Sequence, residues 1–286
     1  MGSIVTWFII LIIGAMGSFV AVKRWLFEKM VKREVLAMWS ESTAVAQDRI
    51  DISSTLSSPD FPPPVRRYLA NAIQRSVSIR TLRLSHRGTM RTSPSSKWIP
   101  VQGQQYFSAR PPAFIWWGRV PIVPGFWIDV MDSFRKGRGR MLVTAASTWT
   151  MTDAQGPELS ESALLRLLGE IFWFPTAFLD RSYVRWQAVD DKTARAHIEI
   201  DGLKTEALFH FDPEGQFLKV TGLRYRNVEG RNVLTPWTGI SSDFREVDGV
   251  KVPFKMEAIW NLPEGDFPCI RFEIETIEYN VDKPFP

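Results

Sequence analysis

From Ser76 to the C-terminus, apolar and polar residues alternate in short runs broken by turn residues. Val250, Val252, Phe254, Met256, Ala258 and Trp260 share one face of a strand, with Lys251, Lys255 and Glu257 on the other. Ala194, Ala196, Ile198 and Ile200 alternate with Arg195, His197, Glu199 and Asp201. Ile270, Phe272 and Ile274 do the same with Arg271, Glu273 and Glu275. A period of two with one polar face predicts antiparallel strands that are wet on one side. About ten such segments follow one another, joined by turn signals such as Pro213–Gly215, Glu229–Gly230 and Asp248–Gly249.

One stretch breaks the alternation. Ser160–Phe178 (SESALLRLLGEIFWFPTAF) has helical spacing, with Leu164, Leu165, Leu167, Leu168, Ile171, Phe172 and Phe174 making a wide apolar surface. A hydroxyl of Ser160 or Ser162 is expected to cap its start, and Pro175 to end it. The fold class that follows is mainly β: a large curved antiparallel sheet, half-barrel-like, with one main covering helix. A sheet of that size must curl or close to hide its apolar face. One helix cannot shield so much sheet, so the remainder is expected to be a sandwich core or a ligand hollow beneath residues 160–178.

The N-terminus follows a different pattern. Ile4 to Val22 runs for 19 residues without a charge, which as a helix spans about 28 Å, close to a hydrocarbon core. No Lys or Arg precedes it and the core is long, so a retained transmembrane helix fits better than a cleaved signal peptide. Helical spacing continues through Trp25, Leu26, Met30, Val35, Met38 and Trp39 to about Ala46. The predicted organisation is an anchor at 1–22, a basic juxtamembrane helix at 23–47, a Ser/Pro-rich linker at 48–64, and a soluble β-rich domain at 65–286. The last opens on a helix-like fragment at 65–73.

Charge adds orientation. The chain carries a formal net charge of +4, and three of those four charges belong to the flank of Lys23, Arg24, Lys29, Lys32 and Arg33 set against Glu28 and Glu34. The positive-inside rule then places the flank and the domain in the cytoplasm. A basic surplus confined to this flank points to anionic lipid head groups and away from nucleic acid. Cys269 is the only cysteine, so no disulfide framework exists. There is no phosphate-binding loop, dinucleotide fingerprint or nucleophile elbow, and His86, His197 and His210 have no ligand partners at metal spacing. No metal, cofactor or catalytic set is expected.

The candidate chemistry is sparse. Glu170 sits in the apolar helix between Gly169 and Ile171. It is either a base or ligand anchor in an apolar pocket, or half of a buried ion pair with Arg224 or Arg226. Of twelve tryptophans, ten lie beyond the anchor and its basic edge. Trp116, Trp117, Trp127 and Trp173, with Phe174, are candidates to line a hollow for an apolar molecule, with Glu170 and Arg224 as polar anchors; core packing is the other reading of the same rings. The apolar connection at 119–130 is expected to fold back on the sheet, the other readings being a lid or a dip into the membrane interface. Asp129 and Asp132 join Arg135, Lys136, Arg138 and Arg140 in a charged patch leading into a strand at Met141–Ala145.

Several segments carry a resemblance: PPVRRYL at 63–69, KWIPVQGQQYF at 97–107, PAFIWW at 112–117, GRGRM at 137–141, LRLLGEIFWFPTAF at 165–178, VRW at 184–186, RYR at 224–226, LTPW at 234–237 and VPF at 252–254. Over nearly its whole length the chain resembles an uncharacterised bacterial family of membrane-anchored proteins of unknown function, departing at Gly169, where the family pattern has Ala. The resemblance implies no functional residue. At the level of fold, the order of strands, one helix and more strands resembles the half-barrel of lipoprotein carriers, which work outside the cytoplasm. The expected function is a membrane-tethered module for a lipid or other hydrophobic ligand. The alternatives are an enzyme on a membrane-derived substrate with Glu170 as acid/base, or a membrane-anchored scaffold.

Overall fold

The computed structural model describes residues 2–44, 56–75 and 77–286; the first part of the expected linker, residues 48–55, lies outside them. Helix α1 spans Gly2–Ala44 and α2 spans Pro63–Ala72. The first strands are β1 (Thr81–Met90), β2 (Ile99–Ala109), β3 (Pro112–Val123), β4 (Phe126–Arg135), β5 (Arg138–Ala145) and β6 (Trp149–Gln155). Helix α3 (Pro157–Glu170) follows, with single 3-10 turns at Ile171–Trp173 and Pro175–Leu179. The rest is β7 (Val184–Ala188), β8 (Thr193–Ile200), β9 (Leu203–Phe211), β10 (Phe217–Val228), β11 (Arg231–Val247), β12 (Val250–Leu262) and β13 (Gly265–Tyr279).

All thirteen strands make one antiparallel sheet in the order β6-β5-β4-β3-β2-β1-β13-β12-β11-β10-β9-β8-β7. Two meanders therefore meet where β1 pairs β13, and α3 connects the two free edges. The sheet curls as a half-barrel; register shifts at Ser85/His86 and Ala258/Ile259 add local bend. Helix α3 lies inside the curl, against β4 and β5 of one meander and β8, β9 and β10 of the other.

The two serines expected to cap that helix do something else. Pro157 begins it three residues earlier, directly after Gly156 at φ 141°, because proline at the first helical position needs no hydrogen-bond acceptor. The Ser160 hydroxyl accepts from the Gly139 amide of β5 at 3.0 Å, and the Ser162 hydroxyl accepts from the Tyr225 amide of β10 at 2.9 Å. Helix α3 is thus pinned to both halves of the curl.

The space beneath Ser160–Phe178 is filled, so of the two expectations for it, packed core and hollow, the packed core is the one observed. Ile171, Phe172, Trp173 and Phe174 are at most 1% exposed. The Trp173 indole donates to the Pro253 carbonyl at 3.1 Å, Tyr279 donates to the Trp173 carbonyl at 2.8 Å, and the Phe174 ring lies 5.0 Å from that of Phe107. Helix α2 closes the same end with Val65, Tyr68 and Leu69. The apolar surplus read from the strands is covered by more elements than the one helix recognised.

A further cover is α1, one unbroken helix. Its first half is bare: Ile4 through Phe19 are exposed wherever described. Its second half turns Phe27, Val31, Val35, Met38 and Trp39 onto the outer face of the sheet, against Tyr106, Ala113, Ile115, Met131 and Leu142. That i, i+4 spacing makes one apolar stripe, and each buried side chain contributes about 1.5–3 kcal/mol. Parts of β2, β3 and β4 are consequently buried on both faces, where the alternation had predicted a wet side.

Candidate functional site

Cross-strand pairing sorts the inner face into rungs. Leu84, Gln105, Trp116 and Asp132 are partners across β1–β4, and the next rung is His86, Gly103, Gly118 and Val130. The two glycines are there for the rings. A Cβ on Gly103 would fall 2.5 Å from the His86 ring, and one on Gly118 2.3 Å from the Trp116 ring. His86 and Trp116 therefore lie flat along the sheet, as side chains can only where a neighbour has none. The Phe272 ring covers His86 at 3.9 Å.

Below these rings sits a closed charge cluster. Arg166 of α3 pairs through Nη1 with Asp132 Oδ2 at 2.7 Å and through Nε with Glu170 Oε1 at 2.9 Å. Gln105 Nε2 donates to Glu170 Oε2 at 2.6 Å. The guanidinium also lies 4.9 Å from the Phe114 ring centre and 5.3 Å from that of Trp116. Burial pushes the Glu170 carboxyl above its usual range, against the pull of Arg166. So the Glu170 ion pair exists, but its partner is Arg166, one turn earlier on the same helix, rather than Arg224 or Arg226. Each Glu170 oxygen thus has a partner, Arg166 on Oε1 and Gln105 on Oε2.

Among the described residues Arg224 and Arg226 form no ion pair with that cluster, although Asp132, Arg166 and Glu170 all act on the Arg224 charge. Both are half-buried on the inner face of β10, and the Nε of each is enclosed without a hydrogen-bond partner. The Arg224 guanidinium lies 5.7 Å from the Trp237 ring centre and 6.0 Å from that of Trp260. Enclosure pushes it below its ordinary value. Among the described residues, nine enclosed side-chain atoms have no partner. Six of them face inward: His86 Nδ1, Asp132 Oδ1, Arg224 Nε, Arg226 Nε, Trp237 Nε1 and Ser241 Oγ. Towards the open end of the same face, Met90, Ile99, Ile128, Val130, Trp260 and Ile270 are only partly buried. The upper inner face is therefore apolar-walled and carries two guanidinium groups with no counter-ion in contact.

The other expected site residues are dispersed. Trp116 is on the inner face, and Trp173 and Phe174 are in the packed floor. Trp117 and Trp127 lie on the outer face, where alternation puts them, so they line nothing inside. Together with Arg119 and Ser147 they donate to Asp129, at 3.2 Å (Trp117), 2.9 Å (Arg119), 2.8 Å (Trp127) and 2.6 Å (Ser147). Asp129 and Asp132, expected in one patch, are on opposite faces of β4, since an odd spacing in a strand changes side. The residues at 119–130 are not folded back: they form the ends of β3 and β4 and an exposed turn. A recess of about 580 Å³ is also outside. Charged residues such as Arg87, Lys255, Glu257 and Arg271 share its lining with Pro100, Ile240 and Met256, so it is a mixed surface groove. His86, Gln105 and Arg166 were not anticipated, although Arg166 and Glu170 carry the i, i+4 spacing of a helical ion pair.

Comparisons with known proteins follow this geometry. A family profile described as "Family of unknown function (DUF6544)" matches residues 52–272. No curated protein matches. Among solved structures, a DUF1329 family protein from Desulfovibrio piger ATCC 29098 is similar at 12% identity and a TM-score of 0.41, over 82% of this chain and 95% of that one. A LolA superfamily protein from Nitrosomonas europaea is similar at 11% identity and a TM-score of 0.36, over 78% and 93%.

Proposed function

The chain belongs to that family of unknown function, DUF6544, and we propose that it is a membrane-tethered binding module whose concave face takes an amphiphile with an anionic head. One observation carries the reading: among the described residues the Arg224 and Arg226 side chains make no hydrogen bond or ion pair, the Nε of each is enclosed, and the Arg224 guanidinium lies by the Trp237 and Trp260 rings. Holding an unpaired charge in such a place costs free energy, and a carboxylate or phosphate would offset it with charge-assisted hydrogen bonds of about 1.5–3 kcal/mol. An apolar tail lying along Met90, Ile99, Ile128, Val130 and Ile270 adds about 0.8 kcal/mol for each CH₂ removed from water.

The tether in this reading is Ile4–Val22, the part of α1 long and apolar enough to cross a bilayer. Lys23, Arg24, Lys29, Lys32 and Arg33 follow it towards anionic head groups, with the domain on the cytoplasmic side. An acid/base role for Glu170 is not favoured, because Arg166 and Gln105 occupy both of its oxygens.

The test uses the full chain in detergent micelles, with a fluorescent fatty acid and the matching fatty alcohol as probes. The acid is expected to bind more tightly than the alcohol, and Arg224→Ala to remove that preference while leaving the alcohol unchanged. Equal binding of both probes, indifferent to Arg224→Ala, would sink the anionic head. Binding of neither would sink the module.

A further inference from the structure

Beside α1, the turn between β3 and β4 presents Pro121, Ile122, Val123, Pro124, Gly125 and Phe126, six uncharged and fully apolar residues, all of them exposed. Ile122 is 47%, Val123 57% and Phe126 37% exposed. A soluble hairpin tip normally carries polar turn residues. Here two of the six are prolines, which have no backbone N–H to keep in water. Trp149 at 63% and Met151 at 62% add to this edge of the sheet. Trp149 pairs with Ala145, which pairs with Ile128 at the base of the turn.

Two contacts fix the height of this tip against α1. Arg119, the partner of Asp129 across the hairpin, reaches Glu28 at 3.4 Å. Trp127, two residues nearer the tip, lies beneath the Arg24 guanidinium, 5.6 Å from the ring centre. Two strand residues advance about 6.6 Å, and the four helix residues from Glu28 back to Arg24 advance about 6 Å. The hairpin therefore climbs alongside α1, towards its N-terminus, at matching pace. Val123 and Phe126 pair beyond the Pro121–Trp127 pair, about 3–7 Å further on by the same strand rise. That sets them level with Val20–Val22, the last turn of the uncharged run.

We propose that the β3–β4 turn is a lipid-inserting wedge: Ile122, Val123 and Phe126 enter the edge of the same bilayer leaflet from which α1 emerges, and Trp149 rests at head-group level. This rests on the reading of Ile4–Val22 as a transmembrane segment, and it goes beyond that reading in giving the domain a second foot on the membrane. Both the apolar composition and its depth beside α1 favour lipid over a protein partner. Tryptophan and cationic side chains such as Arg24 gather at that boundary. The inner-face residues Ile128 and Val130 continue down the same hairpin, so the open end of the concave face stands next to the bilayer, and an amphiphile would pass between them without crossing bulk water.

The experiment is site-directed spin labelling of the full chain, with Cys269→Ser, reconstituted in phosphatidylcholine vesicles containing anionic phosphatidylglycerol. Labels at Val123→Cys, Ile10→Cys and Glu214→Cys are compared for collisions with dissolved oxygen and with an aqueous nickel chelate. Position 123 is expected to behave as position 10 does, with nickel collisions lost and oxygen collisions raised, while position 214 stays aqueous. A label at 123 open to nickel while position 10 is shielded overturns the wedge and leaves the transmembrane reading intact. A label at 123 shielded from both reagents points to a protein contact and also overturns it. Nickel access at both 10 and 123 overturns the wedge and the membrane anchor together.

Discussion

The Trp116 indole donates its N–H to Nε2 of His86 at 2.7 Å, and the two rings lie within 2° of parallel. An accepting Nε2 means a neutral imidazole with its proton on Nδ1. Protonation would set a second donor against the indole N–H, inside a site that is 1% exposed and already faces Arg166. Burial, and then the Arg166 charge, push His86 down from 6.5 to about 3.

Stability should therefore fall with acid in a way that belongs to this ring. The unfolded chain takes up the proton near pH 6.5 and the folded one only near 3. Stability is thus complete above pH 6.5 and lost as pH falls towards 3, at about 1.4 kcal/mol per unit. Urea unfolding at pH 6.5 and pH 5 should show a loss of about 2 kcal/mol by that slope, and His86→Gln should abolish most of the difference. An unchanged pH response in the variant would mean the ring does not titrate this way.

Arg166 holds two carboxylates at once, so its removal should be far worse than removal of either acid alone. Arg166→Leu leaves Asp132 and Glu170 buried with no cation in contact and is expected to cost about 3–5 kcal/mol. Glu170→Gln keeps the Arg166–Asp132 pair and a hydrogen-bonding amide, so a cost of only about 1 kcal/mol is expected. Chemical denaturation of the two variants side by side checks the order.

Gly169 occupies the last turn of α3, where a Cβ would meet Val220 and Trp237 at 3.5 and 3.6 Å, an ordinary contact distance. Its backbone is not left-handed. Gly169→Ala should raise stability by about 0.5–1 kcal/mol through the lower entropy of the unfolded chain. A rise in melting temperature with an unchanged denaturant slope is the expected signature.

Asp129 is 0% exposed and accepts from four side chains. Asp129→Ala would strand those donors beneath α1 and should cost about 3 kcal/mol or more. Hydrogen exchange should rise first in β3 and β4, next to Glu28, rather than evenly across the sheet.

The strands were legible wherever one face meets water. Val250–Trp260 and Ala194–Ile200 pack in the phase their alternation predicts, and the turns at Gly215, Gly230 and Gly249 have the positive φ their sequences suggest. The pattern fails at β2 and β3, where Gln105–Ala109 and Pro112–Trp116 are buried continuously, because α1 covers the second face and nothing local announces it. The same cause hid the site. Trp116 and Trp117 are adjacent letters on opposite sides of a sheet, and so are the two aspartates three residues apart on β4. Which tryptophans look inward depends on the register of β3 against β2 and β4. Arg166 is the opposite case: its signal, a cation one turn before an acid, is local and plain, whereas the expected partners Arg224 and Arg226 lie far along the chain on β10.

The continuity of α1 has a mechanical outcome. If Ile4–Val22 spans a bilayer as proposed, the lack of a hinge between the apolar half and the half packed on β2–β4 would make the domain a rigid flag on its mast, unable to pivot at the surface. A long apolar helix answers a thinner bilayer by leaning, and here the lean would swing the entire body with it, dipping or lifting the Val123 tip. Lipid thickness would then set how far the open trough stands from the acyl chains, making access to it a property of the surrounding membrane as much as of the protein.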